Sequence, residues 1–394
     1  MNDSLSNLKA PRIEVVDALR GFAIMSIMLL HNIEHFDYYF FPESFPDWLK
    51  EIDKVIWDTL FFLFGGKSYA IFALLFGFSF YIQNNNQEKR GNDFRGRFFW
   101  RLILLFGFGF INTIFYEGDI LMFYAVLGLV LIPVCRWSNK AVFITAVFLM
   151  LQPLEWTKYI YTLFNPEYIP KPNMSDFYFG KMGEYLNSTS FIDYAIGNLR
   201  IGKMAAMFWS WENGRFFQAP ALFMFGMLLG RKQLFVTTTA TVNFWTKALW
   251  YAILLFIPLF ALKTYLPDIV SRKAELDRLS VIVTSWSNVS FMLILVASFI
   301  KLYQNGTINK ALSKLIPFGK MSLTNYIMQS VVGAFIYYKY GLGLYEHTGA
   351  TYSLLIGISL FLLQLAFCTW WLKTNKQGPL ESIWHKATWV SFNK

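Results

Sequence analysis

Blocks of about 20 apolar residues recur along this 394-residue chain, each long enough for an α-helix to cross the hydrocarbon core of a bilayer. Lipid offers no partner to backbone N–H and C=O groups, so a chain built of such blocks is left with helices that satisfy their own hydrogen bonds. Only 15% of the residues are charged, against about 25% in soluble proteins, and the mean hydropathy is +0.39. The expected fold is an all-α integral membrane protein, a single polytopic domain over residues 1–394. Spans are placed at roughly 19–38, 55–83, 98–115, 120–136, 140–160, 215–231, 244–264, 279–303, 318–338 and 351–372, with ends uncertain by two to four residues. A long connection, about 161–214, separates spans 1–5 from spans 6–10, and a tail follows from about residue 373.

The net charge of +10 would suggest nucleic acid in a soluble protein. Here the cations sort by loop instead. Lys89, Arg90, Arg95, Arg97 and Arg101 follow span 2, Arg136 and Lys140 follow span 4, Arg231 and Lys232 follow span 6, and Lys310, Lys314 and Lys320 follow span 8. Arg272, Lys273 and Arg278 are the exception. Positive loops face the cytoplasm, so both termini are expected inside and the 161–214 connection outside, in a cytoplasmic (inner) membrane. No nucleic-acid partner is expected; membrane lipid is, and a homo-oligomer is left open.

The first twenty residues are polar and no small-residue cleavage site follows, so the first span is read as retained rather than as a removed leader. Cys135 and Cys368 both fall within apolar spans, which indicates neither a disulfide framework nor a thiolate metal site. No ligand spacing for a metal, no phosphate-binding glycine loop and no hydrolase elbow occurs. In the outer connection, a loop with three prolines precedes a mixed stretch, FIDYAIGNLRIGKMAAMFWSW. That stretch reads either as a loop packed over the bundle or as a lid over an acceptor site.

Ionisable groups inside a bilayer are costly, and so suggest a role. Arg20 and His31 stand eleven residues apart with an almost wholly apolar stretch between them. At ~100° per residue both project from one helix face, about 16 Å apart along the axis. The cation then lies at one surface, suited to grip an anion, with Asp17 one turn earlier. The imidazole lies near mid-depth, where it serves either as a packing histidine or as a general base. His35, one turn on, is expected at the outer interface.

Other polar residues are expected near the level of His31, among them Asn112, Asn288 and Gln329. Ser322, Asn325 and Gln329 share one face of span 9 by 3-4 spacing, an arrangement suited to a bound polar ligand. Gly65-Gly66 is expected to break or bend span 2, opening backbone to a cavity in which Lys67 meets an anion. The plain alternative is a lysine that snorkels to the surface. Glu117 and Asp119 lie in a very short turn, read either as solvated or as ordering an acceptor.

The segments DALRGFAIMSIMLLHN, GGKSYAIFALLFGFSF, RLILLFGFGF followed by GDILMFYAVLG, FMFGMLLGR, FGKMSLTNYIMQS and GPLESIW together resemble the YeiB-like family of bacterial polytopic membrane proteins. His385 departs from the arginine expected there. That family resembles in turn the transmembrane acyltransferases, whose first helix carries an arginine, ten residues and a histidine. The resemblance implies acyl-coenzyme A as donor, with acetyl-coenzyme A foremost, and an envelope glycan or small molecule as acceptor. On this reading His31 is the base, with Asp17 and Lys67 assisting. Arg20, Arg97 and Arg101 contact the cofactor together with Ser322, Asn325 and Gln329, while Glu117 and Asp119 bind the acceptor. No metal is expected. The competing readings are an exporter of a small polar or anionic metabolite and a non-catalytic membrane scaffold.

Overall fold

The computed structural model describes residues 13–390, all helix, turn or loop without a strand among them. The polar residues 1–12 and the last four, for which a cytoplasmic location is expected, lie outside the described residues. Helix α1 covers Glu14–Ile33. The second apolar block forms two helices, α2 (Asp47–Phe64) and α3 (Ser68–Glu88), with the chain broken at residues 65–67. Then come α4 (Arg95–Thr113), α5 (Leu121–Leu127), α6 (Leu131–Val134), α7 (Asn139–Met150) and α8 (Pro153–Phe164). The 161–214 connection is not open loop. It carries α9 (Met174–Leu186), α10 (Phe191–Gly197) and α11 (Lys203–Glu212), with a wide-turn helix over Asn198–Gly202. Helices α12 (Arg215–Arg231), α13 (Thr239–Ile269) and α14 (Lys273–Tyr303) follow. The chain ends with α15 (Gly306–Leu312), α16 (Ile316–Lys320), α17 (Ser322–Tyr337), α18 (Ala350–Thr374) and α19 (Pro379–Thr388).

Helix thus overlies each of the ten stretches read from the sequence. Among the described residues, five stretches are long and apolar enough by themselves to cross a membrane: Glu14–Ile33, Asp47–Glu88, Thr239–Ile269, Lys273–Tyr303 and Ala350–Thr374. Burial orders them. The apolar window of α1 is 72% buried, whereas that of α13 is 11% buried. Helix α1 is therefore the axis and α13 part of the rim. Phe106, Phe110, Phe143, Leu254, Leu255, Leu362 and Leu363 are all exposed, a load of large apolar side chains suited to lipid rather than water. This is a multi-pass membrane protein.

Small residues let the axis be crossed closely. Gly21 of α1 meets the Leu315 carbonyl and Gly319 of α16, while Gly77 of α3 and Gly226 of α12 each lie against the other helix's backbone. Lipid gives no hydrophobic drive for helices to associate, so close backbone packing of this kind holds the bundle.

The C-terminal segment closes one end. Glu381 accepts from the backbone N–H groups of Leu323 (2.7 Å) and Thr324 (3.0 Å) and from the Thr324 hydroxyl (2.6 Å). It thereby caps the first turn of α17, where the unpaired N–H groups and the helix dipole both favour a carboxylate. The far end of α19 is held from α4. Arg97 donates to the carbonyls of Thr388 and Val390, both at 2.9 Å, and Trp100 donates to Ala387 at 2.9 Å. Arg101 donates to the Thr388 hydroxyl at 3.1 Å and lies 4.1 Å from the Trp384 ring centre. The GPLE segment singled out in the sequence is thus a structural tie. Glu381→Ala should lower stability by about 1–3 kcal/mol through the orphaned donors, and Glu381→Gln by less. Thermal melts of detergent-solubilised protein check this; an unchanged midpoint for the alanine variant would show the cap to be idle.

Candidate functional site

Gly66 occupies the left-handed region at φ 72°, and a side chain there would come within 2.5 Å of the Asn288 amide nitrogen. Only glycine lets the chain turn this tightly against α14. The break frees backbone groups, and α3 restarts with Ser68, whose hydroxyl pairs with that of Ser26 on α1 at 2.7 Å. Beside this break lies a cavity of about 1060 Å³. Its wall is made by the second half of α1, the 65–67 break, the turn 116–120, the inner faces of α9 and α11, the start of α12 and the polar face of α14. The sequence-expected break and the sequence-expected cavity therefore coincide.

His31 is in the wall. Its ring lies 4.6 Å from Tyr116 and 5.6 Å from Phe36, centre to centre, and its buried Nδ1 has no hydrogen-bond partner. Lys67 is also in the wall and almost wholly buried. Its Nζ donates to the Phe61 carbonyl at 3.3 Å and lies 5.7 Å from the Phe291 ring centre. Asp119 lines the cavity too, but its carboxylate is engaged, accepting from the Asn112 amide and the Met122 N–H at 2.9 Å each. Lys203 donates to the Asp119 carbonyl at 2.9 Å.

The other residues expected at the site stand elsewhere. Arg20 donates to Asp17 and to Ser79, both at 2.9 Å, and neither Arg20 nor Asp17 is in the cavity wall. Arg97 and Arg101 hold α19, as described. Asn325 is buried and bonded to the Phe318 carbonyl at 2.9 Å and to the Cys368 sulfur at 3.2 Å. Ser322 is half-buried at the start of α17, and Gln329 is fully buried with both amide atoms unpartnered. The span 9 side chain that reaches the wall is Tyr326, one residue off the predicted stripe, its hydroxyl accepting from the Ile120 N–H at 3.1 Å. From His31 the cavity opens away from Arg20, among the helices of the 161–214 connection. His35, expected at the interface, is buried with its Nε2 2.8 Å from the Ser353 hydroxyl.

Three functional candidates escaped the sequence reading. Glu34 and Asp37 both line the cavity. Asp37 is delivered there by three consecutive non-glycine residues with positive φ, His35, Phe36 and Asp37, a costly conformation pinned by the Tyr338 hydroxyl donating to the Phe36 carbonyl. Arg215, at the start of α12, has its guanidinium 4.3 Å from the Tyr69 ring centre and 4.0 Å from that of Trp209. Among the described residues no carboxylate reaches ion-pair distance of it. A charged residue opening an apolar helix directly after Asn213-Gly214 was the available signal.

Glu117 does not line the cavity. It is fully buried, and neither carboxyl oxygen has a partner. Burial, with the nearby Asp37 adding to it, pushes its carboxyl well above the usual range. Burial likewise lowers Lys203 and raises Asp119. A carboxyl whose folded value is raised binds more protons folded than unfolded, so it withdraws stability as pH rises above the ordinary carboxylate range. Glu117→Gln should therefore gain stability relative to the parent as pH is raised from 5 to 8. Melting both proteins across that interval checks the sign; a constant difference would contradict the buried acid. Among the described residues no group of His, Cys, Asp or Glu is arranged to hold a metal ion.

The fold and cavity define an all-helical, multi-pass membrane protein with an ionisable chamber at one end. Residues 229–391 match a family described as "Protein of unknown function (DUF418)", and residues 12–179 match one described as "Heparan-alpha-glucosaminide N-acetyltransferase, catalytic". The chain is 27% identical to the uncharacterized protein YxaH of Bacillus subtilis (strain 168), over 100% of this chain and 98% of the relative. It is 26% identical to the uncharacterized protein YeiB of Escherichia coli (strain K12), over 95% of each. These matches bear out the resemblance to the YeiB-like family and its relation to transmembrane acyltransferases. No solved structure matches the chain significantly.

Proposed function

We propose that the chain is an acyltransferase of the cytoplasmic membrane, with about ten spans and both termini inside. It moves an acyl group from cytoplasmic acyl-coenzyme A to a hydroxyl or amine presented in the cavity. The observation that carries this reading is the unpartnered Nδ1 of His31 in the wall of a large cavity lined by several ionisable side chains, within the segment similar to an acetyltransferase catalytic region.

The chemistry follows from the residues. His31 takes the acceptor proton as its oxygen or nitrogen attacks the thioester carbonyl carbon, and a span 9 amide, for which Gln329 has an unpartnered Nε2, stabilises the oxyanion that forms. The C–S bond then breaks and the proton passes from His31 to the sulfur of coenzyme A. Arg20 contacts the donor's phosphates and Asp17 orients it through their 2.9 Å ion pair. Arg97 and Arg101 join Arg20 where α19 moves aside. Glu117 and Asp119 act on the acceptor side, Glu117 as a buried acid and Asp119 by fixing the turn.

The break at residues 65–67 favours a second reading, export of a small polar metabolite, because discontinuous helices mark substrate sites in transporters. The two readings part on whether the solute leaves modified.

His31→Ala should cut the maximal transfer rate by about 10²–10⁴-fold. Arg20→Ala should instead raise the acyl-coenzyme A concentration needed for half-maximal rate. Rate against acetyl-coenzyme A concentration separates them by plateau and midpoint. A full plateau in His31→Ala would make the histidine structural and remove the mechanism.

A further inference from the structure

The charges around the cavity are segregated by depth. Lys67 is followed by Ser68, which pairs with Ser26 of α1. Glu34 lies eight residues beyond Ser26, about 12 Å further along that axis. Lys263 of the rim helix α13 also lines the cavity and is close enough to Lys67 for the two to repel. At the other level, Glu34 and Asp37 are mutual neighbours, and Arg215 is near enough to act on both. Formally Lys67 and Lys263 carry +2 and the Glu34–Asp37–Arg215 group −1, with Asp176 of α9 lining the same cavity. His31, three residues before Glu34, stands about 4.5 Å from the acidic level along the axis. Lys203 donates to the Asp119 main-chain carbonyl, and the Asp119 carboxylate accepts from Asn112 and the Met122 N–H, so both are engaged by the 116–122 turn.

Lys67 is almost wholly buried and Lys263 is exposed on the rim helix; neither has a carboxylate at ion-pair distance among the described residues, which leaves a positive field without a partner at that side of the cavity. A ligand supplies the missing charge more cheaply than the protein can avoid it. A phosphate monoester carries about −1.5 to −2 near neutrality, which matches that end. A protonated amine matches the other and arrives beside His31.

Building on the transferase reading, we infer that the acceptor is a primary amine that also bears a phosphate group, the amine lying between His31 and the Glu34–Asp37 pair and the phosphate on Lys67 and Lys263. One ammonium proton passes to the carboxylates and on to water, which leaves a nucleophilic amine. The second goes to His31 as the C–N bond forms, then to the coenzyme A sulfur as the C–S bond breaks. The products are an amide, free coenzyme A and one released proton. Because α13 is a rim helix, the amino-phosphate has two possible sources, a soluble compound or the head group of an ethanolamine lipid.

The full chain in nanodiscs of phosphatidylglycerol is titrated by calorimetry with glucosamine 6-phosphate, glucosamine and glucose 6-phosphate. The first should bind at least tenfold tighter than either of the others. Lys67→Gln should reduce it to the affinity of glucosamine, Lys67→Arg should retain it, and Glu34→Gln should reduce it to the affinity of glucose 6-phosphate. Equal affinity for glucosamine 6-phosphate and glucose 6-phosphate, or a Lys67→Gln variant of parental affinity, overturns the inference. Repeating the titration with phosphatidylethanolamine in the disc assigns the source, since competition marks the lipid and its absence the soluble compound. Tight binding without acyl transfer would reject the transferase reading while leaving the ligand class standing.

Discussion

A helix inside a membrane can break only where something other than lipid receives its freed backbone groups. The interruption at residues 65–67 meets that condition because it abuts α14 and the cavity rather than the bilayer. Much else follows from it. Gly66 must be glycine, Asn288 must lie against it, and α3 must restart beside Ser26 of the most buried helix. Lys67 is then held inside the protein beside the cavity instead of snorkelling to a surface. The cavity is thus a consequence of the break as much as a container for a ligand.

A second dependence runs to the opposite end of α1. Helix α19 is tied at its start by Glu381 to α17 and at its finish by Arg97, Trp100 and Arg101 to α4. Cations on terminal carbonyls and a carboxylate on initial N–H groups are the favourable signs for helix dipoles. Two arginines expected to hold a cofactor are here spent on the protein's own chain end. Donor access at that face and displacement of α19 are coupled in the proposed mechanism, which gives the last helix a place in it that its distance from His31 would not suggest.

Local chemistry was legible in the sequence, while distant pairing was not. The apolar blocks placed helix in all ten stretches, and the Gly65-Gly66 pair announced its break, because both signals are carried by neighbouring residues. The partners of Arg97 and Arg101 lie nearly three hundred residues away, so nothing near the arginines could reveal them. The side of His31 on which the cavity opens is set by how α9 and α11 fold back over the bundle, again a long-range outcome. Glu34 and Asp37 were missed for another reason. Charged residues in the last turn of a span, as these are in the 19–38 stretch, read as interface, and three successive non-glycine residues in the left-handed region run against every local preference. Such violations are tolerated where packing over-determines them, and here Tyr338 and Ser353 do so.

In the proposed mechanism His31 meets the acyl group within the cavity. An experimentally determined structure of the protein in lipid, with a non-hydrolysable acetyl-coenzyme A analogue bound, tests it most directly. The acyl carbonyl should lie at the cavity wall within reach of the His31 ring, with the coenzyme phosphates toward Arg20. An analogue bound with its acyl end remote from His31, or on the cavity side of Lys67 with Arg20 untouched, would contradict it.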